Sequence, residues 1–274
     1  MLSVKIATSI PSEREATKKG SSMKYEINGK KFNYPEIIMI VAMTESGLVG
    51  SGDKMPWKSS FDFEWFKRNT IGFPMIFGRK TALGMPQFPL QNRPCAILSN
   101  EIHEPFVATK NGIATCHDDL MKAIEHYKNF DKVFIAGGKS VYQYALQEYK
   151  PFGQHFPLPD ITVHLPLVDT VIRTKFPDGH ASGDVYFTEL DAILREQFSL
   201  SKTGPFALRN TGDSKQQYEY GHTCEECEEY EGKPCPMDAD TAISCDFKYD
   251  LKKNDTPFPW VRFEIFRRNT QNGK

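Results

Sequence analysis

Apolar runs of strand length alternate with helical patterns over the middle of the chain. From Glu36 the sequence reads EIIMIVAM, a continuous apolar run that is typical of a strand covered on both faces. Further strands are predicted over residues 74–77, 95–98 and 133–136, and helices over residues 61–70, from Lys80, over 118–127 and over 140–149. This alternation predicts an α/β fold with a mixed, mostly parallel central sheet flanked by helices, which binds ligands at the carboxyl ends of its strands.

The pattern loosens after residue 149, where the sequence KPFGQHFPLPD interrupts regular structure with proline and glycine. A strand pair is predicted to follow over residues 160–165 and 170–175. Two more strands, over 197–201 and 260–266, are predicted to form a hairpin whose connection exceeds fifty residues. A connection of that length is expected to have an organisation of its own, because long structureless loops are uncommon in compact domains.

The composition is that of an ordinary globular protein. Among 274 residues, 39% are hydrophobic and 25% are charged, and the formal net charge is −1. This balance predicts no attraction to nucleic acid or membranes. No apolar stretch reaches the length of a membrane span, and the N-terminal residues are charged where a signal peptide is apolar, so a cytoplasmic protein is predicted. Residues 1–35, rich in lysine, glutamate, serine and glycine, are predicted to be a flexible N-terminal arm, and residues 36–274 to form the main domain, with insertions at about 150–168 and 203–256.

Asp62 is a lone carboxylate among aromatic residues, in a stretch that begins Met55-Pro56-Trp57 and continues to Phe66. A carboxylate in apolar surroundings keeps its proton longer and favours a partner that offers paired N–H donors. Asp62 is therefore a candidate anchor for a planar, nitrogen-rich ring. The alternative is an amphipathic helix in which Asp62 only lies near the N-terminus.

Two turns each place glycine between a predicted strand and a predicted helix. The first reads Gly78-Arg79-Lys80-Thr81, and the second reads Gly137-Gly138-Lys139-Ser140. Such turns direct backbone N–H groups and the positive end of a helix dipole at an anion, and two of them in one sheet suit a pyrophosphate. The two cations after Gly78 favour NADPH over NADH, although junctions of this kind are often only tight turns.

Six segments in a fixed order resemble the dihydrofolate reductase family: IVAMTESGLVG, MPW with Asp62 and Phe66, GRKT, NRPCAILSN, VFIAGGKSVYQYAL, and VIRTKF followed by GDVYF. The resemblance covers about residues 36–187 and resumes over residues 260–268. It implies a dihydrofolate reductase-like fold with a Cys-rich subdomain inserted in the C-terminal hairpin. It also implies NADPH-dependent reduction of 7,8-dihydrofolate to 5,6,7,8-tetrahydrofolate by hydride transfer to pterin C6, with protonation at N5.

The resemblance also assigns roles to individual residues. It implies catalytic roles for Asp62, Trp57, Tyr142 and Thr174. It implies substrate contacts for Ile40, Val41, Asp62, Phe63, Phe66, Met85, Leu90, Arg93, Ile135, Tyr142 and Thr174. It implies cofactor contacts for Ala42, Val49, Gly50, Gly78, Arg79, Lys80, Thr81, Leu98, Ser99, Asn100, Ile135, Gly137, Gly138, Lys139, Ser140 and Val141.

Four expectations are specific enough to check in a structure. Thr174 is expected to hydrogen-bond Asp62, with Thr162 as the rival choice, and the Gly137-Gly138 peptide is expected to be cis. Arg93 is expected to pair with the α-carboxylate of the folate glutamate, or else to form a surface ion pair. The loop over residues 47–57 is expected to be a mobile lid that admits the water donating the proton.

The cysteine-rich insert lies outside the resemblance. Cys224, Cys227, Cys235 and Cys245, with His222 nearby, could hold a structural zinc ion, while free or oxidisable thiols and disulfides are the alternatives. The acidic residues beside them are expected to be a solvated face or a docking surface for a protein partner. A monomer and a homodimer are both open, as are two other functions: a related NADPH-dependent reductase of a ribityl-aminopyrimidine, and a structural or interaction role.

Overall fold

A computed structural model of the chain describes residues 4–7, 23–27, 30–148, 165–210, 218–222 and 249–269. The strands are β1 (Val4–Ala7), β2 (Met23–Ile27), β3 (Lys30–Tyr34), β4 (Glu36–Thr44), β5 (Leu48–Gly50), β6 (Met75–Gly78), β7 (Cys95–Leu98), β8 (Phe106–Thr109), β9 (Gly112–His117), β10 (Lys132–Ile135), β11 (Thr170–Phe176), β12 (Val185–Tyr186), β13 (Phe198–Asn210), β14 (Tyr218–His222), β15 (Tyr249–Asp250) and β16 (Trp260–Arg268). The helices are α1 (Ser60–Thr70), α2 (Arg79–Gly84), α3 (Leu120–His126), α4 (Lys139–Gln147) and α5 (Leu190–Gln197).

The chain divides into two compact units. The first comprises Met1–Ile38 with Gly72–Asp169, and the second comprises Met39–Ile71 with Thr170–Lys274. No helix in the described part of the chain is long and apolar enough to span a membrane. The cytoplasmic location stays a prediction.

The first unit contains the parallel part of the sheet. Its strands lie in the order β10, β6, β7, β9 and β8, and the first three neighbouring pairs are parallel. β6 is apolar and fully buried at Met75 and Ile76, as expected for a strand covered on both faces. The strands predicted over residues 74–77, 95–98 and 133–136 are confirmed as β6, β7 and β10. Helix α2 begins directly after β6, and α4 begins after the three residues that follow β10.

The second unit contains the antiparallel part. β16 lies between β11 and β13 and pairs antiparallel with both, so the predicted C-terminal hairpin is confirmed. β13 continues to Asn210, past the predicted start of the insertion, and β14 and β15 extend the sheet beside it. The predicted strand over residues 160–165 lies outside the described residues except for Leu165. Parallel and antiparallel pairs together give the predicted mixed α/β fold.

Several elements were not predicted. β1, β2 and β3 form a three-stranded antiparallel sheet within residues 1–35. The flexibility expected of this N-terminal arm stays a prediction. The hairpin of β8 and β9 and the helix α5 were also missed. The proposed domain limits stay a prediction.

Helix α1 is anchored by two aromatic side chains one turn apart. Phe61 stacks on Tyr220 of β14 with ring centroids 5.0 Å apart, and Trp65 stacks on Phe263 of β16 at 4.5 Å. Residues four positions apart lie on the same face of a helix, so these two rings fix the rotation of α1. This rotation leaves Phe63, which is 50% exposed, outside the buried face that Phe61 and Trp65 occupy.

Candidate functional site

Asp62 lies in the first turn of α1. Its backbone N–H donates to the side chain of the N-cap residue Ser59 at 3.2 Å. Its carboxylate accepts a hydrogen bond from the Thr174 hydroxyl on β11. Burial raises the pKa of Asp62 to about 6, and the hydrogen bond from Thr174 keeps the pKa from rising further. The predicted contact of Thr174 is therefore present, whereas the rival Thr162 lies outside the described residues.

Trp57, in the second unit, packs against two phenylalanine rings. Its indole ring lies 4.9 Å from the ring of Phe176 and 6.1 Å from that of Phe258, and its side chain is buried. Within the described ranges the indole Nε1 has no hydrogen-bond partner. A buried N–H without a partner costs about 1–3 kcal/mol, so this atom is a candidate to donate to a bound water.

The aromatic residues of α1 that were expected to contact a ring are not part of the core. Phe63 is 50% exposed, Phe66 is half-buried, and the two rings lie 6.3 Å apart. Ile40 and Val41 on β4 are buried, while Ala42 and Val49 are half-buried. Exposed apolar side chains beside a half-buried carboxylate give a surface suited to a flat ligand that has hydrogen-bond donors on one edge.

The two glycine turns meet in the first unit. The Gly78 N–H donates to the Gly137 carbonyl at 2.6 Å, and the Gly137-Gly138 peptide is cis, as the resemblance implied. A Cβ on Gly137, whose φ is +107°, would lie 3.1 Å from the hydroxyl oxygen of Tyr142. A Cβ on Gly138 would lie 2.9 Å from Oγ1 of Thr81. Only glycine at both positions permits this approach.

Helix α4 offers the stronger of the two candidate anion sites. Its N-cap is Gly138, which has no side chain to satisfy the first amides, and the Gly138 carbonyl accepts from the N–H groups of Val141 and Tyr142. The positive end of the helix dipole lies at this turn. Helix α2 also begins at a glycine but has only six residues, and its N-cap N–H already donates to Gly137. The turn before α4 is therefore the better candidate for binding a phosphate than the turn before α2.

Arg79 and Ser99 interact with the loop that follows β7. The Arg79 guanidinium donates to the Glu101 carboxylate at 2.7 Å, and Oγ of Ser99 accepts from the N–H groups of Glu101 and Ile102 at 3.1 Å each. The Arg79–Glu101 pair is partly exposed and contributes at most about 1 kcal/mol. An incoming phosphate could therefore displace Glu101 from Arg79. Lys80 and Asn100 are exposed, and Leu98 is half-buried.

Arg93 lies in the first unit, half-buried, just before β7. Its Nε donates to the Gln91 carbonyl at 3.2 Å, and burial lowers the pKa of its guanidinium. Leu90 and the two apolar residues before it are buried, and Met85 is half-buried. The pairing of Arg93 with a carboxylate, whether of a ligand or of a surface residue, stays a prediction.

The loop expected to be a lid is hydrogen-bonded to the segment over residues 184–187. β5 pairs antiparallel with β12, the Gly47 carbonyl accepts from the Phe187 N–H at 2.7 Å, and the Gly52 N–H donates to the Asp184 carboxylate at 2.7 Å. Residues 51–55 are exposed. Asp184, in the segment GDVYF, was not predicted to bind this loop.

The remaining predicted residues divide by location. Ile135, Gly137, Val141 and Tyr142 are buried, and Lys139 and Ser140 begin α4. Cys224, Cys227, Cys235 and Cys245 lie outside the described residues. In the part of the chain that is described, no group of histidine, cysteine, aspartate or glutamate could hold a metal ion. Cys95 and Cys116 are free thiols.

The fold and these two sets of residues are typical of an α/β enzyme, with one set suited to a planar ring and the other suited to an anion. The family model for dihydrofolate reductase matches residues 36–152. Dihydrofolate reductase from Neisseria gonorrhoeae is 30% identical over 156 residues, which are 57% of this chain and 81% of that protein. The corresponding protein from Haemophilus influenzae is 29% identical over 153 residues, which are 56% of this chain and 79% of that protein. The chain belongs to the dihydrofolate reductase family.

A solved structure shows the same fold. Dihydrofolate reductase from Enterococcus faecalis, complexed with NADP(H) and RAB-propyl, is 19% identical to this chain and has a TM-score of 0.50. The match covers 86% of this chain and 99% of that one. The likeness therefore extends beyond the residues matched by the family model.

Replacement of Thr174 by valine tests the hydrogen bond to Asp62. Without the hydroxyl, which lowers the pKa of Asp62, the pKa is expected to rise above about 6. The pH below which substrate affinity falls should rise with it, and this is measured from the substrate KM across the acid range. Thr170→Val on the same strand is the control, because its hydroxyl bonds to Arg267 instead. An unchanged pH profile in Thr174→Val would contradict the assignment.

Proposed function

We propose that this protein reduces 7,8-dihydrofolate to 5,6,7,8-tetrahydrofolate with NADPH as the hydride donor. The observation that carries the proposal is the Asp62 carboxylate, which accepts a hydrogen bond from Thr174, in a chain of the dihydrofolate reductase family. The carboxylate is half-buried and has a raised pKa of about 6, so it is ionised at neutral pH but only weakly solvated.

Substrate recognition begins at this carboxylate. The 2-amino group and N3 of a pterin present two parallel N–H donors, which suit the two oxygens of Asp62. Ile40, Phe63 and Phe66 supply apolar contacts to the ring and to the benzoyl group beyond it. Arg93 binds the α-carboxylate of the glutamate through its planar fork, and its reduced solvation strengthens that pairing.

Cofactor recognition depends on residues of the first unit. The N-terminal turn of α4 binds the pyrophosphate, and Arg79, Lys80 and Ser99 bind the phosphate on the adenosine ribose. Thr81 and Asn100 also bind the adenosine phosphate end, and Ala42, Val49 and Gly50, which lie outside the first unit, contact the nicotinamide. When bound, NADPH supplies the hydride that reduces C6 of the substrate.

The protein has to align the substrate with the cofactor and to provide a route for one proton to N5. Transfer of a hydride to C6 leaves N5 to accept a proton, and Asp62 contacts the pyrimidine edge of the ring instead of N5. A water admitted by the loop over residues 47–57 donates this proton, and the indole N–H of Trp57 helps to hold a water in the second unit. Asp62 orients and polarises the ring.

A direct assay tests the proposal. The purified chain is mixed with NADPH and dihydrofolate, and the loss of NADPH absorbance is followed, with turnover of about 1–100 s⁻¹ expected. A ribityl-aminopyrimidine offered in place of dihydrofolate is expected to give no turnover. Turnover of that compound alone, or of neither compound by folded protein, would overturn the proposal.

The zinc site is proposed separately, because Cys224, Cys227, Cys235 and Cys245 lie outside the described residues. Their spacing suits four thiolate ligands in a tetrahedral arrangement. Metal analysis of the purified protein tests this, and about one zinc per chain, lost on replacement of Cys224 and Cys227 by serine, is expected.

Replacement of Gly137 by alanine tests the glycine turn. The new Cβ would approach the Tyr142 hydroxyl in a backbone conformation with φ of +107°, so the turn must shift. The KM for NADPH is expected to rise at least about tenfold, while the KM for dihydrofolate changes less. Gly72→Ala is the matched control, because φ is +84° and its Cβ would meet nothing within 4 Å. Equal kinetic effects of the two variants would contradict the role of Gly137.

A further inference from the structure

Strand β8 has one open edge. It lies at the end of the strand order in the first unit, with β9 on one side, and no described strand pairs with its other side. The Cys116 N–H donates to the Pro105 carbonyl at 2.8 Å, and Phe106 is opposite Thr115 in the register. Hydrogen-bonded and non-hydrogen-bonded pairs alternate along an antiparallel ladder, so the N–H and C=O groups of Phe106 and Ala108 point away from β9.

The open edge is able to accept another strand. Natural edge strands are usually protected by proline, by charge or by a bulge. Pro105 precedes β8, but by the same alternation its missing N–H lies on the side of β9. The four residues of β8 itself are Phe106, Val107, Ala108 and Thr109, with no charge and no proline.

One face of the hairpin is apolar and exposed. The register places Ala108 opposite Ile113, and Phe106 two positions away lies on the same face. Phe106 is 60% exposed and Ile113 is 69% exposed. The small side chain of Ala108 separates these two large ones on the open side of the sheet.

The two ends of β8 carry opposite charges. Glu104 lies just before the strand and Lys110 lies in the turn just after it, and both are exposed. In an antiparallel pair of identical strands the acidic end of one lies beside the basic end of the other. Because 104 and 110 are equally far from 107, a two-fold axis at Val107 would place Glu104 of each copy near Lys110 of the other.

We propose that β8 pairs antiparallel with β8 of a second copy of this chain, about a two-fold axis at Val107. Phe106 of each copy would then exchange both backbone hydrogen bonds with Ala108 of the other, which uses the groups that point outward. Ala108 is flanked by Ile113 of its own chain and by Phe106 of the second copy, so large and small side chains alternate. An isologous contact of this kind is self-complementary and closes at two copies.

The dimer is expected to be weak and reversible. A stable interface buries about 1,600 Å² in total, and one short strand with its neighbouring side chains buries less than that. The dissociation constant is therefore expected near 0.1 mM, as an order of magnitude. The chain would be mostly monomeric at assay concentrations, so its activity does not depend on the pairing.

Sedimentation velocity on the full chain from about 1 µM to about 1 mM tests the proposal. The sedimentation coefficient of the wild-type protein is expected to rise with concentration. In parallel, hydrogen exchange at the amides of Phe106 and Ala108 should slow, while exchange at Val107, whose N–H bonds to β9, should not change. Wild-type protein that stays monomeric over the whole range would overturn the proposal.

Exchanging the charges of Glu104 and Lys110 tests the register in which the two β8 strands pair. Glu104→Lys and Lys110→Glu should each weaken dimerisation about tenfold, because each single change puts like charges together at both ends of the contact. The double variant restores opposite charges and should return to within about twofold of the wild-type constant. A double variant no better than either single one would refute this pairing.

Ala108→Pro gives a second, independent measure. It removes an N–H on the open edge without removing a bond to β9, so it should abolish dimerisation and leave NADPH oxidation near the wild-type rate. A dimer that persists in this variant would show that another surface, including the undescribed residues, is responsible. If the dimer does not form, the result of the reductase assay is unchanged. The proposed dimer and the proposed reductase activity are therefore tested separately.

Discussion

Asp62→Asn is expected to remove most of the reductase activity. The amide has one acceptor and one donor in place of two acceptors, so it loses one of the paired bonds to the pterin and places a donor against a donor. Loss of a charge-assisted pair of this kind is expected to lower kcat/KM by about 100- to 1,000-fold. The measurement is steady-state oxidation of NADPH with dihydrofolate at neutral pH.

The same variant is expected to be more stable than the wild type. Burial raises the pKa of Asp62 from 3.8 to about 6, so the folded state favours the protonated form. A raised pKa contributes stability that is fully present below the unfolded value and is lost as the pH rises through about 6. At pH 7 the charged carboxylate therefore destabilises the fold by about 3 kcal/mol, and asparagine removes that penalty.

Thermal unfolding at several pH values separates this expectation from simple misfolding. The gain of Asp62→Asn over the wild type should be large at pH 7 and should shrink as the pH falls towards about 4. Glu64→Gln on the same helix is the control, since Glu64 forms a partly exposed ion pair with Arg68. A variant that lost activity together with stability would point to a structural role for Asp62 instead of a binding role.

The fold was predictable where the hydrophobic pattern was strong. β4, β6, β7 and β10 are apolar runs, and α1 and α4 show helical spacing, so their positions were found within a residue or two. The strands of the β8–β9 hairpin were missed because their exposed face is apolar at Phe106 and Ile113, which breaks the expected alternation. Helix α5 had a readable pattern at Leu190, Ile193 and Leu194 that was overlooked.

The candidate site was predictable only as far as single residues. Asp62, Thr174 and the two glycine turns follow from the order of the motifs. The Arg79–Glu101 ion pair, the Gly52–Asp184 hydrogen bond and the packing of Trp57 on Phe258 join segments far apart in sequence. Their partners depend on strand register and loop geometry, which residue patterns do not reveal.

A buried charge network supports the strand that carries Thr174. Arg173 is directly opposite Glu264 in the β11–β16 register, and its Nε donates to Glu264 at 2.7 Å. Its other guanidinium nitrogen donates to Asp191 on α5, and the guanidinium lies 4.9 Å from the ring of Phe266. Successive side chains of a strand point to opposite faces, so this network holds β11 from the face opposite to Thr174.

The pKa of Asp191 depends on the charges of this network. Burial alone would raise the pKa of its carboxyl, but the hydrogen bond and charge of Arg173, with Lys175, lower it below the ordinary value. A lowered pKa contributes stability above the unfolded value that is lost as the pH falls through the folded value. This is the opposite sign to Asp62, so the two groups act on stability in opposite directions as the solution is acidified.

Glu264→Gln is therefore expected to cause the largest loss of stability among single polar substitutions in this network. The side chains of Arg173 and Glu264 are only 5% and 7% exposed, and removal of one partner leaves a buried guanidinium with Asp191 alone. Breaking such a pair is expected to lower the free energy of unfolding by about 3 kcal/mol, measured by urea denaturation. Glu64→Gln, which breaks an exposed pair, should lower it by less than about 1 kcal/mol. Equal losses would mean that the Arg173 network does not stabilise β11, and Thr174 would then depend on the sheet alone for its position beside Asp62.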